Sequence, residues 1–494
     1  MVANTLPLAL SALVAGAAAA NYPPVPQDVT TPVQQRLAIV GPNAMSVGWN
    51  TYGKLDQSCV QYGTSSSNLS SQVCNNDQTT YGTSRTYFHA VTLPGLTPAN
   101  TYYYKIVSTN SSVEHFVAPR QAGDTTPFNV DLVVDLGVYG QDGFTTKKRD
   151  TIPQVQPELN HSTIGALART VDDYEFVIHP GDFAYADDWY LKPDNLLSGR
   201  DAYEAILETF YNQLAPVAGR KAYMASPGNH EADCTEIPDT SATCPEGQSN
   251  FTDFMTRFGK TMPIAFNSTS TNTTAVSNAK IAQQLSNPPF WYSFEYGLAH
   301  ITMINTETDF PNAPDGQGGS QGLNGGPFGQ PGQQLNFLEA DLASVDRTRT
   351  PWLIVAGHRP WYSTGGSDNI CTSCQTAFEG LFYKYGVDVG VFGHVHNSQR
   401  FLPVYNQTVD SAGMNNPKAP MYIIAGGPGN IEGLSAVGSN YTGNVFAYAD
   451  DFSYATMRFK DANHLGIDFY ESSNGTLLDS SVLYKSHTTA FVNQ

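Results

Sequence analysis

The pattern of hydrophobic and polar residues divides the chain into two parts that meet near residue 127. Before this point, short strand-like runs such as residues 45–49, 88–93 and 101–107 are separated by turn residues, chiefly Pro and Gly. After it, longer continuous apolar runs alternate with stretches of helical periodicity. The pattern therefore predicts an all-β part followed by an α/β part.

The first part has the spacing of a β-sandwich. Several short strands over about 100 residues, each bounded by turn signals, are typical of a sandwich of the fibronectin type III kind. We place this sandwich at residues 33–120. Residues 22–32 are rich in proline and are expected to form a linker.

The second part, residues 127–494, is predicted to contain an α/β core, because continuous apolar runs are typical of strands covered on both faces. Tyr203, Ile206 and Phe210 share one face of a predicted helix, and residues 452–484 alternate like strands that extend the sheets. Residues 233–290 and 308–330 are rich in Gly, Ser, Thr and Asn and are expected to be surface loops. The apolar runs are residues 128–134, 176–178, 222–224, 301–304, 352–355, 387–392 and 421–425.

The N-terminus predicts export. Residues 6–20 form an apolar run ending in small residues, as in a signal peptide cleaved near Ala20, so we assign residues 1–20 to the signal. No later segment reaches the ~20 apolar residues of a membrane span. We therefore expect a secreted, extracellular protein without a membrane contact.

Two further features fit an exported glycoprotein. Six cysteines lie in three local pairs, which favours disulfide bonds between Cys59 and Cys74, Cys234 and Cys244, and Cys371 and Cys374. A redox or zinc half-site is the alternative for the last pair. Sequons for N-glycosylation occur at Asn68, Asn110, Asn160, Asn250, Asn267, Asn272, Asn406, Asn440 and Asn474.

Charge excludes some classes of partner. The net charge of −19 argues against nucleic acid and against a polybasic membrane contact, because both require clustered Lys and Arg. A small molecule is the expected partner, and the composition leaves the oligomeric state open.

Metal-competent side chains follow five of the apolar runs. Ligands of open α/β folds gather outside the carboxyl ends of the strands, so these side chains are expected to converge. Each block alone has an ordinary explanation as a turn or a helix cap, but Asp, Asn and His together suit a two-metal centre. The blocks are Asp135-Leu-Gly137, Gly181-Asp182-Phe-Ala-Tyr185, Gly228-Asn229-His230-Glu231, Gly357-His358 and Gly393-His394-Val-His396.

In this order, the blocks resemble the motifs of the metallophosphoesterase superfamily, and Tyr185 narrows the resemblance to the purple acid phosphatases. The fibronectin type III-like sandwich resembles that of plant- and fungal-type members. The resemblance implies a multidomain protein in which the sandwich precedes an α/β metallophosphoesterase sandwich with two mixed β-sheets flanked by helices. It also implies an enzyme of the acid phosphatase type.

The resemblance further implies a set of metal ligands. One metal would be held by Asp135, Tyr185 and His396, the other by Asn229, His358 and His394, with Asp182 bridging the two. A phenol has a pKa of about 10, so only a strongly Lewis-acidic ion displaces its proton near neutrality. This favours Fe(III) beside Tyr185 and a divalent ion (Zn, Fe or Mn) at the site with imidazoles and an amide.

Two metals would hold a phosphate for in-line attack by hydroxide, with no covalent protein intermediate. His230 is the candidate proton donor to the leaving group, and a hydrogen bond to a metal ligand is its alternative role. Arg359 is a candidate phosphate contact, and a structural salt bridge is the alternative. Residues 359–368 contain no histidine, whereas plant-type members often carry substrate-facing histidines there.

We therefore expect a secreted dinuclear-metal acid phosphatase that hydrolyses phosphate monoesters, with phytate among the candidates. The enzymatic alternative is a secreted phosphodiesterase or nucleotide pyrophosphatase that uses the same metals. The alternative from another class is a glycoprotein whose sandwich binds a partner and whose metal site is vestigial.

Overall fold

The computed structural model describes residues 22–139, 162–191, 195, 198, 200–233, 244–263, 268–319, 321, 325–364, 370–439 and 441–487. The predicted signal peptide, Cys234 and the sequons at Asn160, Asn267 and Asn440 lie outside these residues. Among the described helices, none is both long enough and apolar enough to cross a bilayer.

The strands of the N-terminal part form two facing sheets. They are β1 Val33–Gly41, β2 Ala44–Thr51, β3 Ser58–Gly63, β4 Ser71–Asn75, β5 Gln78–Thr79, β6 Tyr87–Leu93, β7 Thr101–Ile106 and β8 Glu114–Val117. One sheet has the order β4-β3-β7-β8. Val47 and Trp49 of the facing sheet are buried in the same apolar cluster as Tyr104 and Phe116 of this sheet. The predicted β-sandwich is present.

The second part contains further strands and all of the described helices. The strands are β9 Phe128–Leu132, β10 Phe176–Pro180, β11 Ala222–Ser226, β12 Tyr292–Tyr296, β13 Ala299–Met303, β14 Trp352–Ala356, β15 Val389–Phe392, β16 Ser398–Phe401, β17 Val404–Tyr405, β18 Thr408–Val409, β19 Met421–Ala425, β20 Asn444–Tyr448, β21 Ser453–Phe459, β22 His464–Glu471 and β23 Leu477–Tyr484. The helices are α1 Thr163–Arg169, α2 Asp201–Ala218, α3 Asn229–Ala232, α4 Thr252–Phe258, α5 Thr273–Leu285, α6 Gln333–Ala343, α7 Thr372–Cys374 and α8 Gly380–Tyr385. Short 3₁₀ turns cover Asp187–Leu191 and Ser249–Phe251, and a π-helical turn, Gln375–Glu379, joins α7 to α8.

Two large mixed sheets organise the molecule. The ten-stranded sheet has the order β23-β22-β21-β9-β10-β11-β1-β2-β6-β5, and the seven-stranded sheet has the order β12-β13-β14-β15-β19-β16-β20. Parallel pairs occupy the centre of each, and antiparallel pairs flank them. The two mixed sheets expected from the sequence are confirmed.

The sandwich is continuous with the second part. Strand β1 pairs in parallel with β11, with Leu37 opposite Ala222, so one sheet of the sandwich is the end of the ten-stranded sheet. The domain boundary at residues 120–127 therefore divides the chain but not this sheet. The ranges 33–120 and 127–494 remain our proposal for the domains.

The predicted apolar runs correspond to strands whose central residues are buried. The run at residues 421–425 coincides with β19, and the other runs differ from their strands by a few residues at the ends. Strands β10, β11, β13 and β14 are buried along their full length. Such strands read as continuous apolar runs because both of their faces are covered.

The expectation of loops throughout residues 233–290 is wrong. Helices α4 and α5 lie in this segment. The side chain of Asn272 caps α5, since its Oδ1 accepts a hydrogen bond from the backbone N–H of Thr274 at 2.9 Å. The polar composition hid the helix because its buried face consists only of small residues, Ala275, Ala279 and Ala282.

Two of the predicted disulfides are formed within the described residues. The sulfurs of Cys59 and Cys74 are 2.05 Å apart, and those of Cys371 and Cys374 are 1.95 Å apart. The second bond is the disulfide that the sequence favoured for this pair. Cys244 is also disulfide-bonded.

Candidate metal centre

The five predicted blocks lie at the carboxyl ends of parallel strands in both large sheets. Asp135 follows β9, Asp182 and Tyr185 follow β10, and Asn229 follows β11. In the other sheet, a block follows each of the neighbouring strands β14 and β15, and these blocks contribute His358, His394 and His396. Because the strands are parallel, their carboxyl ends bring the side chains together.

Asp182 lies at the middle of this group. Its Oδ2 is 2.9 Å from Nε2 of His358 and 3.3 Å from the hydroxyl of Tyr185. The carboxylate therefore contacts both of the residue sets that the sequence separated into two metal sites.

The first set surrounds the hydroxyl of Tyr185. This oxygen is 3.2 Å from Oδ1 of Asp135 and 2.8 Å from Nε2 of His396. The other ring nitrogen of His396, Nδ1, is 3.1 Å from the carbonyl oxygen of Gly433. A hydrogen bond from Nδ1–H to that carbonyl leaves Nε2 unprotonated, with its lone pair directed at Tyr185 and available to bind a metal.

The second set surrounds the side-chain oxygen of Asn229. This Oδ1 is 3.0 Å from Nε2 of His358 and 2.9 Å from Nδ1 of His394. Nδ1 of His358 is 3.2 Å from the carbonyl oxygen of Pro180, which orients the ring with Nε2 toward the group. Asn229 and His394 are partly exposed whereas the other members are buried, so solvent reaches the group from this side.

The backbone is strained at the same positions. Asp135, Asp182, Tyr185 and His394 have φ values of +63°, +56°, +52° and +65°, in the left-handed region that non-glycine residues rarely adopt. Gly181 also has a positive φ, +104°, and a Cβ there would lie 2.6 Å from the backbone of Gly228. Strain of this kind persists where the surrounding structure enforces it, and it clusters at functional sites.

The donor set fits a pair of cations. Oδ2 of Asp135 is buried and, among the described residues, accepts no hydrogen bond. Burial and the nearby charge of Asp182 raise the pKa of Asp135 well above its usual value. Burial and the charge of Asp135 also raise the pKa of the Tyr185 phenol. Bound cations would compensate these buried carboxylates and satisfy the free oxygen.

Histidine partners set the charge of the central carboxylate, Asp182. Burial disfavours an ionised Asp182, but His358 and His230 outweigh it and hold the pKa of Asp182 well below the usual value. Burial and the adjacent guanidinium of Arg359 lower the pKa of His394, and burial lowers that of His396. Two neutral imidazoles and an ionised carboxylate are the forms that bind metals.

His230 lies beside this group and is held by a carboxylate that the sequence analysis missed. Its Nδ1 is 2.9 Å from Oδ2 of Asp187. Its Nε2 is 3.9 Å from Oδ2 of Asp182 and 4.0 Å from Oε1 of Glu432. Burial would lower the pKa of His230, but the charges of Asp187, Asp182 and Asp188 together outweigh it and hold this pKa well above the usual value. The acidic pair that directly follows the Tyr185 block was the available signal.

Arg359 is buried in an ion-pair cluster. Its Nε is 2.6 Å from Oε2 of Glu307, and its Nη2 is 3.2 Å from Oδ2 of Asp315. Its Nη1 is 3.0 Å from Nε2 of His394. The salt bridge considered for Arg359 is thus present, and the phosphate contact stays a prediction. Glu307 and Asp315 lie far from Arg359 in sequence, so no local pattern indicated them.

Glu231 ties together the backbone of two ligand loops. Its carboxylate accepts hydrogen bonds from the N–H groups of Asp182, Phe183 and Gly228, each at 2.9 Å. Glu231 therefore fixes the backbone of the loops that carry Asp182 and Asn229.

Fold and site together define a calcineurin-like phosphoesterase. The family model of that description, "Calcineurin-like phosphoesterase", matches residues 150–398. Two further models match on either side. "Purple acid Phosphatase, N-terminal domain" matches residues 32–118, and "Iron/zinc purple acid phosphatase-like protein C" matches residues 419–480.

Individual relatives agree with these models. The chain is 66% identical to acid phosphatase A of Cryphonectria parasitica over 489 residues, which cover 97% of each chain. It is 30% identical to an acid phosphatase of Aspergillus ficuum, over 81% of this chain and 76% of that one. The purple acid phosphatase PPD1 of yellow lupin has the same fold, with a TM-score of 0.63 at 22% identity over 92% of this chain and 75% of that chain.

The chain belongs to the purple acid phosphatase family. The family resemblance, the fold class and the enzyme class predicted from the sequence are confirmed, and the protein is a metal-binding phosphoesterase.

Proposed function

We propose that this chain is an acid phosphatase that hydrolyses small phosphate monoesters at a dinuclear metal centre. Asp135, Tyr185 and His396 would hold one metal, and Asn229, His358 and His394 would hold the other. Asp182 would be shared between the two.

The position of Asp182 carries this proposal. One of its carboxylate oxygens is within 3.3 Å of a donor atom from each set, Oη of Tyr185 and Nε2 of His358. A carboxylate that is shared in this way can serve both ions of a two-metal site. Of the groups of at least three acidic, His or Cys side chains that could hold a metal in the described residues, one consists of Asp182, His358 and His394.

The donor types support the metals that we propose. Burial and negative neighbours keep the Tyr185 phenol protonated, so a strongly Lewis-acidic ion such as Fe(III) is required to convert it to a ligand. The amide and two imidazoles of the second set suit a divalent ion, Zn, Fe(II) or Mn.

Once bound, the metal pair would neutralise the phosphate and supply a hydroxide nucleophile at acidic pH. The residues of the chain would bind the metals, orient the proton donor and protonate the leaving group. Asp187 accepts a hydrogen bond from Nδ1 of His230, which directs Nε2 of His230 toward the site. From Nε2, His230 donates a proton to the leaving oxygen as the phosphorus–oxygen bond breaks.

A paired rate assay tests the function. An aryl phosphate monoester and the matching diester, with the same leaving group, are compared at acidic pH in the metal-loaded protein. We expect a faster monoester reaction and, in Asp182→Asn, a loss beyond the 10–100-fold typical of outer-shell changes at metal sites, about 100-fold or more. The exposed Asp56→Asn variant is the control. A faster diester reaction would identify a phosphodiesterase, and no hydrolysis of either would favour the vestigial site.

We also propose that the protein is exported as a glycoprotein. The sequon asparagines at positions 68, 110, 250, 272, 406 and 474 are all exposed in the described structure, and two disulfides are formed. Both observations fit an oxidising, extracellular setting. N-terminal sequencing and endoglycosidase treatment of protein from the culture medium test this; a retained Met1 and an unchanged mass would contradict it.

A further inference from the structure

The N-terminal sandwich contacts a segment that lies next to the candidate site. Tyr81, in the loop between β5 and β6, is buried, and its hydroxyl donates to Oε2 of Glu204 at 2.8 Å and lies 3.1 Å from Oδ1 of Asp253. The backbone N–H of Gly82 donates to Oε1 of Glu246 at 3.0 Å. The sandwich therefore forms hydrogen bonds with residues 246–253 at both ends of this segment.

The 246–253 segment supports the backbone of His230. Within it, Gln248 is buried, and its side-chain N–H₂ donates to the carbonyl oxygens of His230 at 2.7 Å and Asp233 at 3.3 Å. The segment is itself compact, since the N–H of Asp253 donates to the carbonyl of Gly247 at 2.7 Å. At Gly247, a Cβ would lie 2.9 Å from the hydroxyl of Tyr81, so the tyrosine packs directly on the backbone of the segment.

We propose that the sandwich is a positioning element for His230. Tyr81 holds residues 246–253, and Gln248 is the positioning residue that transmits this support to the backbone of His230. The consequence for catalysis rests on the proposed function, in which His230 protonates the leaving group. A mutation far from the reacting atoms can lower the rate about 10²-fold if it displaces a reacting group by about 1 Å.

A second contact between the sandwich and the α/β part supplies a matched control. The hydroxyl of Tyr52 donates to Oε2 of Glu208 in α2 at 2.9 Å, and this contact does not include the 246–253 segment. Tyr52→Phe and Tyr81→Phe each remove one hydroxyl from the interface, but only the second change releases the support of His230.

The first measurement compares two substrates in the metal-loaded full chain. Phenyl phosphate has a poor leaving group and depends on a proton donor more strongly than 4-nitrophenyl phosphate does. We expect Tyr81→Phe and Gln248→Met to lower kcat for phenyl phosphate by about 3- to 10-fold, a small part of the 10²–10⁴-fold that general acid catalysis supplies. For 4-nitrophenyl phosphate, kcat should change by less than about twofold, because this leaving group depends less on a proton donor. The double variant should resemble Gln248→Met alone, because both changes break one path.

The second measurement is amide hydrogen exchange of the full chain. Tyr81→Phe should accelerate exchange in residues 246–253 and 230–233, whereas Tyr52→Phe should leave these peptides unchanged. The proposal is overturned if the substrate ratio stays constant in both Tyr81→Phe and Gln248→Met, or if Tyr52→Phe shifts it equally. A wild-type protein without monoesterase activity would refute the proposed function instead, and the exchange data alone would then decide whether Tyr81 supports the segment.

Discussion

Nδ1 of His230 lies 2.9 Å from Oδ2 of Asp187, and both side chains are buried beside the carboxylate of Asp182. The negative charge of Asp187, together with those of Asp182 and Asp188, outweighs the effect of burial, so the pKa of His230 is raised. A histidine that stays protonated above its ordinary pKa can act as an acid over a wider range of pH.

Asp187→Asn should therefore narrow the pH range of activity. The substitution removes the largest of the charges that raise the pKa of His230, so the donor loses its proton at a lower pH. The alkaline limb of the kcat profile should move down by about one pH unit or more, the size of shift that one adjacent opposite charge produces. Asp172→Asn, at an exposed carboxylate paired with Arg220, should leave the profile in place. An unmoved limb in Asp187→Asn would exclude His230 as the donor.

Tyr185→Phe should remove the visible absorption of the iron-loaded protein. The phenol is the only group of the proposed set that gives a tyrosinate-to-iron band, and its ring packs 4.1 Å from that of His230, so phenylalanine preserves the packing. Circular dichroism should show an intact fold. Tyr292→Phe, at a buried hydroxyl bonded to the carbonyl of Ala225, should keep the band. A band that survives in Tyr185→Phe would remove this residue from the metal set.

Glu231→Gln should loosen the ligand loops before it affects the chemistry. Its carboxylate accepts three backbone N–H groups, and a glutamine can present an oxygen to only one side of that arrangement. A buried donor left unsatisfied costs about 1–3 kcal/mol, so the melting temperature of the metal-free protein should fall. Dialysis against a chelator should also strip the metals faster. Equal melting and equal metal retention in the variant and the wild type would contradict this role.

The contribution of Asp131 to stability should increase as the pH falls toward the acidic range. Burial raises the pKa of Asp131 from 3.8 to about 7, so the folded state binds this proton more tightly than the unfolded state does. The resulting stabilisation is complete below about pH 4 and is lost as the pH rises through about 7, up to about 4 kcal/mol for a shift of this size.

Denaturant unfolding at pH 5 and pH 7.5 checks this sign. Asp131→Asn should be less sensitive to pH than the wild type, because its amide does not titrate and can still accept the hydrogen bond that Thr456 donates at 2.6 Å. The exposed Asp56→Asn variant should retain the wild-type pH dependence. An equal pH dependence in Asp131→Asn and the wild type would contradict the assignment.

The proposed metal ligands could be predicted from the sequence because each lies within a few residues of the end of a buried strand. An apolar run followed by Gly and a metal-competent side chain is a local pattern, and parallel strands convert five such patterns into one cluster. Sequence reasoning also recovered the two disulfides in the described residues, because their cysteines are close neighbours in the chain. Helix α5 escaped prediction because its buried face is made of alanines.

Only the tertiary structure decided the relationships between distant segments. The pairing of Leu37 with Ala222 joins the sandwich to the central sheet. Arg359 is buried between Glu307 and Asp315, which shows that its guanidinium forms salt bridges. The partnership of His230 with Asp187 and the support of its backbone by Gln248 are of the same kind. The local sequence determines which potential metal ligands directly follow a strand. Their partners depend on loop conformation and on packing between elements remote in sequence, for which the chain carries no local signal.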